Sequence, residues 1–62
     1  MQMKKLSVVA IEKGVQLSEF YFDLMVDAVA RFDLLVMSGL WDLVMVIDNV
    51  TGEILMDTEE EE

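Results

Sequence analysis

The chain reads as an α+β domain: one amphipathic helix packed on a small antiparallel three-stranded sheet, in the order β-α-β-β. Three observations predict it. A β-branched run lies near the N-terminus. A long segment then carries apolar residues at helical spacing, and an alternating segment returns on itself through Asn- and Gly-containing turn chemistry.

Residues 4–13 alternate roughly and carry Val8, Val9 and Ile11, which reads as a strand; Gly14 can turn the chain away from it. A short helix capped by Ser7 is the alternative for this run. Ser18 followed by Glu19 offers a capping hydroxyl and an acid for a first helical turn. At 100° per residue, Tyr21, Phe22, Leu24, Met25, Ala28, Val29, Phe32, Leu35 and Val36 share one arc, with Glu19, Asp23, Asp27, Arg31 and Asp33 opposite. This predicts a helix over 18–37, about 30 Å long, ended by Ser38-Gly39. Trp41 to Asp48 then alternates, Asn49-Val50-Thr51-Gly52 supplies a turn with Gly52 in a left-handed position, and Glu53 to Asp57 returns as a strand. Residues 1–57 thus form a single domain, and 58–62 are expected to be a disordered acidic tail.

At 62 residues the chain is one small domain. Folding hides only about 60% of the unfolded surface at this length, so the core is marginal. Neither Cys nor His occurs, which removes disulfides and ordinary zinc sites as supports, while 55% of residues are apolar. A homodimer is the expected remedy, made by joining sheets edge to edge or helices face to face.

Charge is the most directional feature. Residues 1–31 balance, Lys4, Lys5, Lys13 and Arg31 against Glu12, Glu19, Asp23 and Asp27, so the net charge of −9 resides wholly in 32–62. Such a field repels phosphate and attracts basic surface, so a cationic protein partner is expected and direct nucleic-acid binding is not. The apolar stretch from Leu24 to Ile47 is interrupted by Asp27, Arg31, Asp33 and Asp42. Each would cost about 2.5–3.5 kcal/mol at mid-bilayer, so no membrane span is expected, and a cytoplasmic location is.

Catalytic chemistry has little to stand on. No His or Cys is present, and no Gly-rich phosphate loop. Asp48 to Glu53 superficially matches a calcium loop, but Val50 replaces an acidic ligand and a hairpin turn explains the same residues. No cofactor or metal is expected. The informative combination is acid mixed with apolar residues: Phe20, Val26, Leu34 and Met37 lie among Glu19, Asp23, Asp27 and Asp33 on the polar side of the expected helix. Glu19, Asp23 and Asp27 would recur about every 6 Å along one stripe, near the spacing of successive phosphates on a nucleic-acid strand. The candidate partner-binding set is Glu19, Phe20, Asp23, Asp27, Asp33, Leu34 and Asp42.

The segment Lys13-Gly14-Val15-Gln16-Leu17-Ser18-Glu19-Phe20 resembles part of the small phage uracil-DNA glycosylase inhibitors. That family has Lys-Gly, then Leu-Ser-acid-Phe, leading into its helix. The resemblance covers about eight residues; Tyr21 stands where the family places a glutamate and Leu24 where it places a tyrosine. It implies an acidic dimer that imitates DNA and buries an enzyme's probing leucine in an apolar pocket, with Glu19 and Phe20 as contact residues.

Together these features lead to the expectation of a small non-enzymatic protein of a phage or mobile element. It would block the basic DNA-binding groove of a host enzyme, uracil-DNA glycosylase being the most concrete target and a nuclease or defence protein the next. An adaptor or antitoxin-like protein gripping through apolar contacts, and a purely structural homo-oligomer, are the rival readings. Trp41, the one tryptophan, is expected to anchor the sheet so firmly that Trp41→Ala unfolds the domain.

Overall fold

In the computed structural model, which describes residues 4–58, strands β1 (Leu6–Glu12) and β2 (Val15–Phe22) precede the helix α1 (Met25–Ser38). Strands β3 (Leu43–Asp48) and β4 (Ile54–Asp57) follow it. All pairings are antiparallel, and the four strands lie in the order β2-β1-β3-β4. The chain is α+β as expected, but the sheet has four strands rather than three, in the order β-β-α-β-β.

The extra strand comes from the beginning of the expected helix. Residues 18–22 do not open a helix; they belong to β2, and α1 starts only at Met25. Ser18, Phe20 and Phe22 pair with Ala10, Val8 and Leu6, so this segment alternates along a sheet instead of winding. Aromatic residues fit a pleated, half-buried surface well, and here both phenylalanines pack against the core. Ser18 therefore caps nothing, and the residue before the helix, extended Leu24, makes no side-chain cap bond. The end of the helix matches expectation. Gly39 adopts φ 70° and its N–H donates to the Val36 carbonyl at 3.2 Å.

β1 is a strand, not a Ser7-capped helix, and it turns into β2 through Lys13 and Gly14, at φ 55° and 79°. Positive φ at both central positions is what a type I′ hairpin requires. Lys13 carries a Cβ into that region, and its N–H is held at 2.7 Å by Asp42 Oδ2. The Asp42 N–H in turn donates to the Ile11 carbonyl at 2.9 Å. In the second hairpin Asp48 Oδ1 accepts from the Val50 and Thr51 N–H groups at 2.8 and 3.3 Å, and Gly52 sits at φ 80°. The calcium-like segment is thus a turn whose first acid is spent on backbone.

The core lies between α1 and one face of the sheet. Leu6, Val8 and Ala10 of β1 and Val44 and Val46 of β3 meet Ala28 and Phe32 of the helix, with Phe20, Phe22, Leu35, Trp41 and Met56 packed around them. Within β3, Val44 and Val46 face the helix, and Leu43, Met45 and Ile47 take the other side of the sheet. Trp41 is only half buried and precedes the strand. Thr58, expected to start the tail, is bonded to the sheet: its N–H donates to the Val44 carbonyl and its Oγ1 accepts from the Val44 N–H, each at 3.1 Å. The remainder of the expected tail, 59–62, lies outside the described residues.

Candidate protein-interaction surface

Side chains alternate across a strand, so every residue between two core positions points to the opposite face of the sheet. No element of the described chain covers that face. The pairing registers place its residues in rows. One row crosses all four strands as Glu19, Val9, Met45 and Asp57. A neighbouring row runs Tyr21, Ser7, Ile47 and Ile54, and a third runs Gln16, Ile11 and Leu43. The centre of this face is mostly apolar, and each outer strand contributes a carboxylate to the first of these rows. With strands about 4.8 Å apart, Glu19 and Asp57 stand about 14 Å from each other.

The central strand is well packed even here. Val9 and Ser7 are both 2% exposed, whereas Tyr21 and Ile54 on the outer strands are about half exposed. Ser7 is satisfied by Asn49: its hydroxyl donates to Oδ1 at 3.0 Å and accepts from Nδ2 at 2.8 Å, while Nδ2 also donates to the Lys4 carbonyl at 3.1 Å. This clasp fixes the β3–β4 turn to the start of β1. Gln16 Nε2 donates to the Glu19 Oε1 at 3.1 Å. Hydrogen bonding to the Glu19 carboxylate first, then desolvation and the Glu19 charge, pushes the Tyr21 phenol above the usual tyrosine range.

Both outer strands are bulged. Ala10 pairs with Ser18 but Ile11 with Gln16, leaving Leu17 as an extra residue; Val46 pairs with Met56 but Ile47 with Ile54, leaving Leu55. Bulges on edge strands interrupt the ladder and discourage another strand from joining.

The residues picked from the sequence do not form one face. Glu19 lies on the open side of the sheet, but Phe20 lies on the covered side, half buried, with the Arg31 guanidinium 4.5 Å from its ring centroid. Asp23 sits in the β2–α1 connection, 3.5 Å from Lys4 Nζ, and its Oδ1 accepts from the Lys5 N–H at 3.3 Å. Asp27, Asp33 and Leu34 are exposed on the helix, and Asp42 braces the first hairpin. Because α1 begins at Met25, Glu19, Asp23 and Asp27 form no helical stripe, and the phosphate-like 6 Å spacing is absent. What the sequence reading missed is the open face itself: Val9, Met45, Ile47, Tyr21 and Asp57. Its signal was the alternation in residues 15–22, hidden by the bulge at Leu17.

Among the described residues, nine carboxylates face four cations, and one ion pair forms, Lys4 with Asp23. These residues enclose no cavity and bring no three acidic side chains together as a metal site. No helix among them is long and apolar enough to cross a membrane. No protein-family model, curated protein or solved structure matches the chain.

Proposed function

We propose that this is a non-catalytic acidic protein that acts by covering the basic nucleic-acid-binding groove of a host enzyme with the open face of its sheet. The observation that carries the reading is the Glu19–Val9–Met45–Asp57 row. It sets an apolar centre between two carboxylates, in a chain of net charge −9. A basic groove supplies cations for the rim, and an apolar side chain projecting from it would be desolvated against the partly exposed Met45 and Ile47, which Val9 supports from beneath. Carboxylates take the place of phosphates in this arrangement through charge and rim position, not through a helical repeat.

Uracil-DNA glycosylase is the first target to test, on the resemblance of residues 13–20, followed by nucleases. The enzyme's DNA binding is measured with the protein as competitor at low and physiological salt. Competition is expected, and it should weaken as the Debye length shortens to about 8 Å. Met45→Lys, which places a cation in the apolar centre, is expected to abolish it. Competition that survives Met45→Lys would move the contact to another surface. Salt-indifferent binding would favour the apolar adaptor, and adhesion of the protein to DNA itself would end the mimic reading.

A further inference from the structure

The helix-bearing face of the sheet is only partly covered. A helix about 10 Å across shields about two strands at a spacing of about 4.8 Å, and this sheet has four. α1 lies against β1, β3 and β2 but does not reach β4. Helical periodicity decides which flank of α1 borders the gap. Arg31 sits over Phe20, so its flank faces β2. Met25, Val29 and Val36, within about 40° of one another around the helix and nearly opposite Arg31, face the β4 side. Met56 of β4 packs on the edge of the core from below. Together these four side chains form an apolar ledge. Met25 and Val36 are 39% and 43% exposed, and Val29 and Met56 are half-buried at its base.

We propose that this ledge seats an amphipathic helix of another protein, one whose apolar stripe is flanked by basic residues. It lies beside α1 over β4 and completes the helical layer. Charge selects the occupant. Asp33 borders the ledge on α1, and Glu53 and Asp57 stand at the two ends of β4. All four cations of the chain lie elsewhere: Lys4 pairs with Asp23, Lys5 precedes β1, Lys13 turns the first hairpin and Arg31 is on the far flank. Basic flanks on the incoming helix meet these carboxylates while its apolar stripe covers Met25, Val29, Val36 and Met56. A second copy is repelled, since each chain carries −9 and its one helix brings Asp27 and Asp33 with it. An added strand is opposed by the bulge at Leu55, which interrupts the free edge of β4. The ledge lies on the other side of the sheet from the Glu19–Val9–Met45–Asp57 row, so this contact does not rest on the groove-covering reading.

The methionines report on this directly, because Met25 and Met56 line the ledge and Met45 lies on the open sheet face. Isotope-labelled methionine methyl groups in the full chain are followed by nuclear magnetic resonance during titration with a synthetic amphipathic helix of about 18 residues. It carries leucine at the heptad seam positions and lysine on both flanks, and a control peptide has glutamate in place of lysine. The lysine form is expected to bind, more weakly as salt rises, and to shift the Met25 and Met56 resonances while Met45 stays in place. Val36→Lys, which sets a cation on the ledge, is expected to weaken binding at least about tenfold. Leu34→Lys, the same charge change at an exposed position on the far side of α1, should weaken it a few-fold at most. Circular dichroism checks the fold of each variant, and Val36→Ser, expected to weaken binding about threefold, carries the test if Val36→Lys unfolds. No binding of the lysine form, equal binding of the glutamate form, or shifts centred on Met45 would overturn the proposal. So would Leu34→Lys weakening binding as much as the Val36 variant. Met45→Lys is expected to abolish competition with DNA and to leave peptide binding within a few-fold, so either reading can fail alone.

Discussion

On β2, Glu19 and Tyr21 lie two residues apart and project together from the open face, where the carboxylate raises the Tyr21 phenol above its ordinary range, first through hydrogen bonding. The contact has a titration signature. Because the folded protein holds the phenolic proton more tightly than the unfolded chain, the stability it contributes is fully present below the ordinary tyrosine range. It is lost as pH rises through the folded value. The chain contains one tyrosine, so tyrosinate absorbance reports it alone. In Glu19→Gln the anionic acceptor is gone, and the midpoint is expected to fall toward the ordinary value. An unchanged midpoint would show that Glu19 does not set it. Asp42 shows the same residue-level economy in reverse. Selected from the sequence as an acid for a partner, it has a local task, holding the N–H of a lysine in left-handed conformation.

The elements were legible to different degrees, for reasons that lie in the pattern itself. β3 announced itself by alternation, β1 by alternation and β-branching with a Ser7-capped helix left open, β4 by the turn that precedes it, and Gly39 marked the helix end. β2 did not, because Tyr21 and Phe22 also fill out the helical arc of Leu24, Met25, Ala28, Val29 and Phe32. Phe20, which alternates with Phe22 along the strand, fell among the acids of the expected helix's polar side and so read as an exposed apolar residue rather than as a strand signal. Ser18-Glu19 then imitated a helix start, and the bulged Leu17 broke the alternation that would have argued otherwise. What decides is tertiary pairing with β1, which a local reading cannot see. The hairpin that enforces this pairing carries a correctable strain: Lys13 occupies φ 55° where Asn is far better tolerated. Lys13→Asn is expected to stabilise the domain by about 0.5–1 kcal/mol, seen as a raised denaturation midpoint with an unchanged slope. A lowered midpoint would mean that the lysine side chain contributes more than its backbone costs.

At the scale of the whole molecule, the core is small because its central positions are small. Val8, Val44 and Val46 are the largest side chains that are fully buried, and Ala10 and Ala28 occupy two more of the core positions. Helix and sheet can approach closely over such residues, but little apolar area is removed from water. Phe32, 8% exposed, is the one aromatic buried within the cluster, so it and not the half-buried Trp41 is the anchor. Truncating a buried Phe costs about 3–5 kcal/mol, and a core of this size supplies about as much in total. Phe32→Ala is therefore expected to be unfolded at 25 °C. Trp41→Ala, expected from sequence alone to unfold the domain, should instead remain folded with a lower melting temperature, since the indole packs on the edge of the cluster rather than inside it. Far-UV circular dichroism with thermal melts of the two variants decides. If Trp41→Ala unfolds while Phe32→Ala survives, the weight of the fold rests on the rim of the core rather than on the helix–sheet contact.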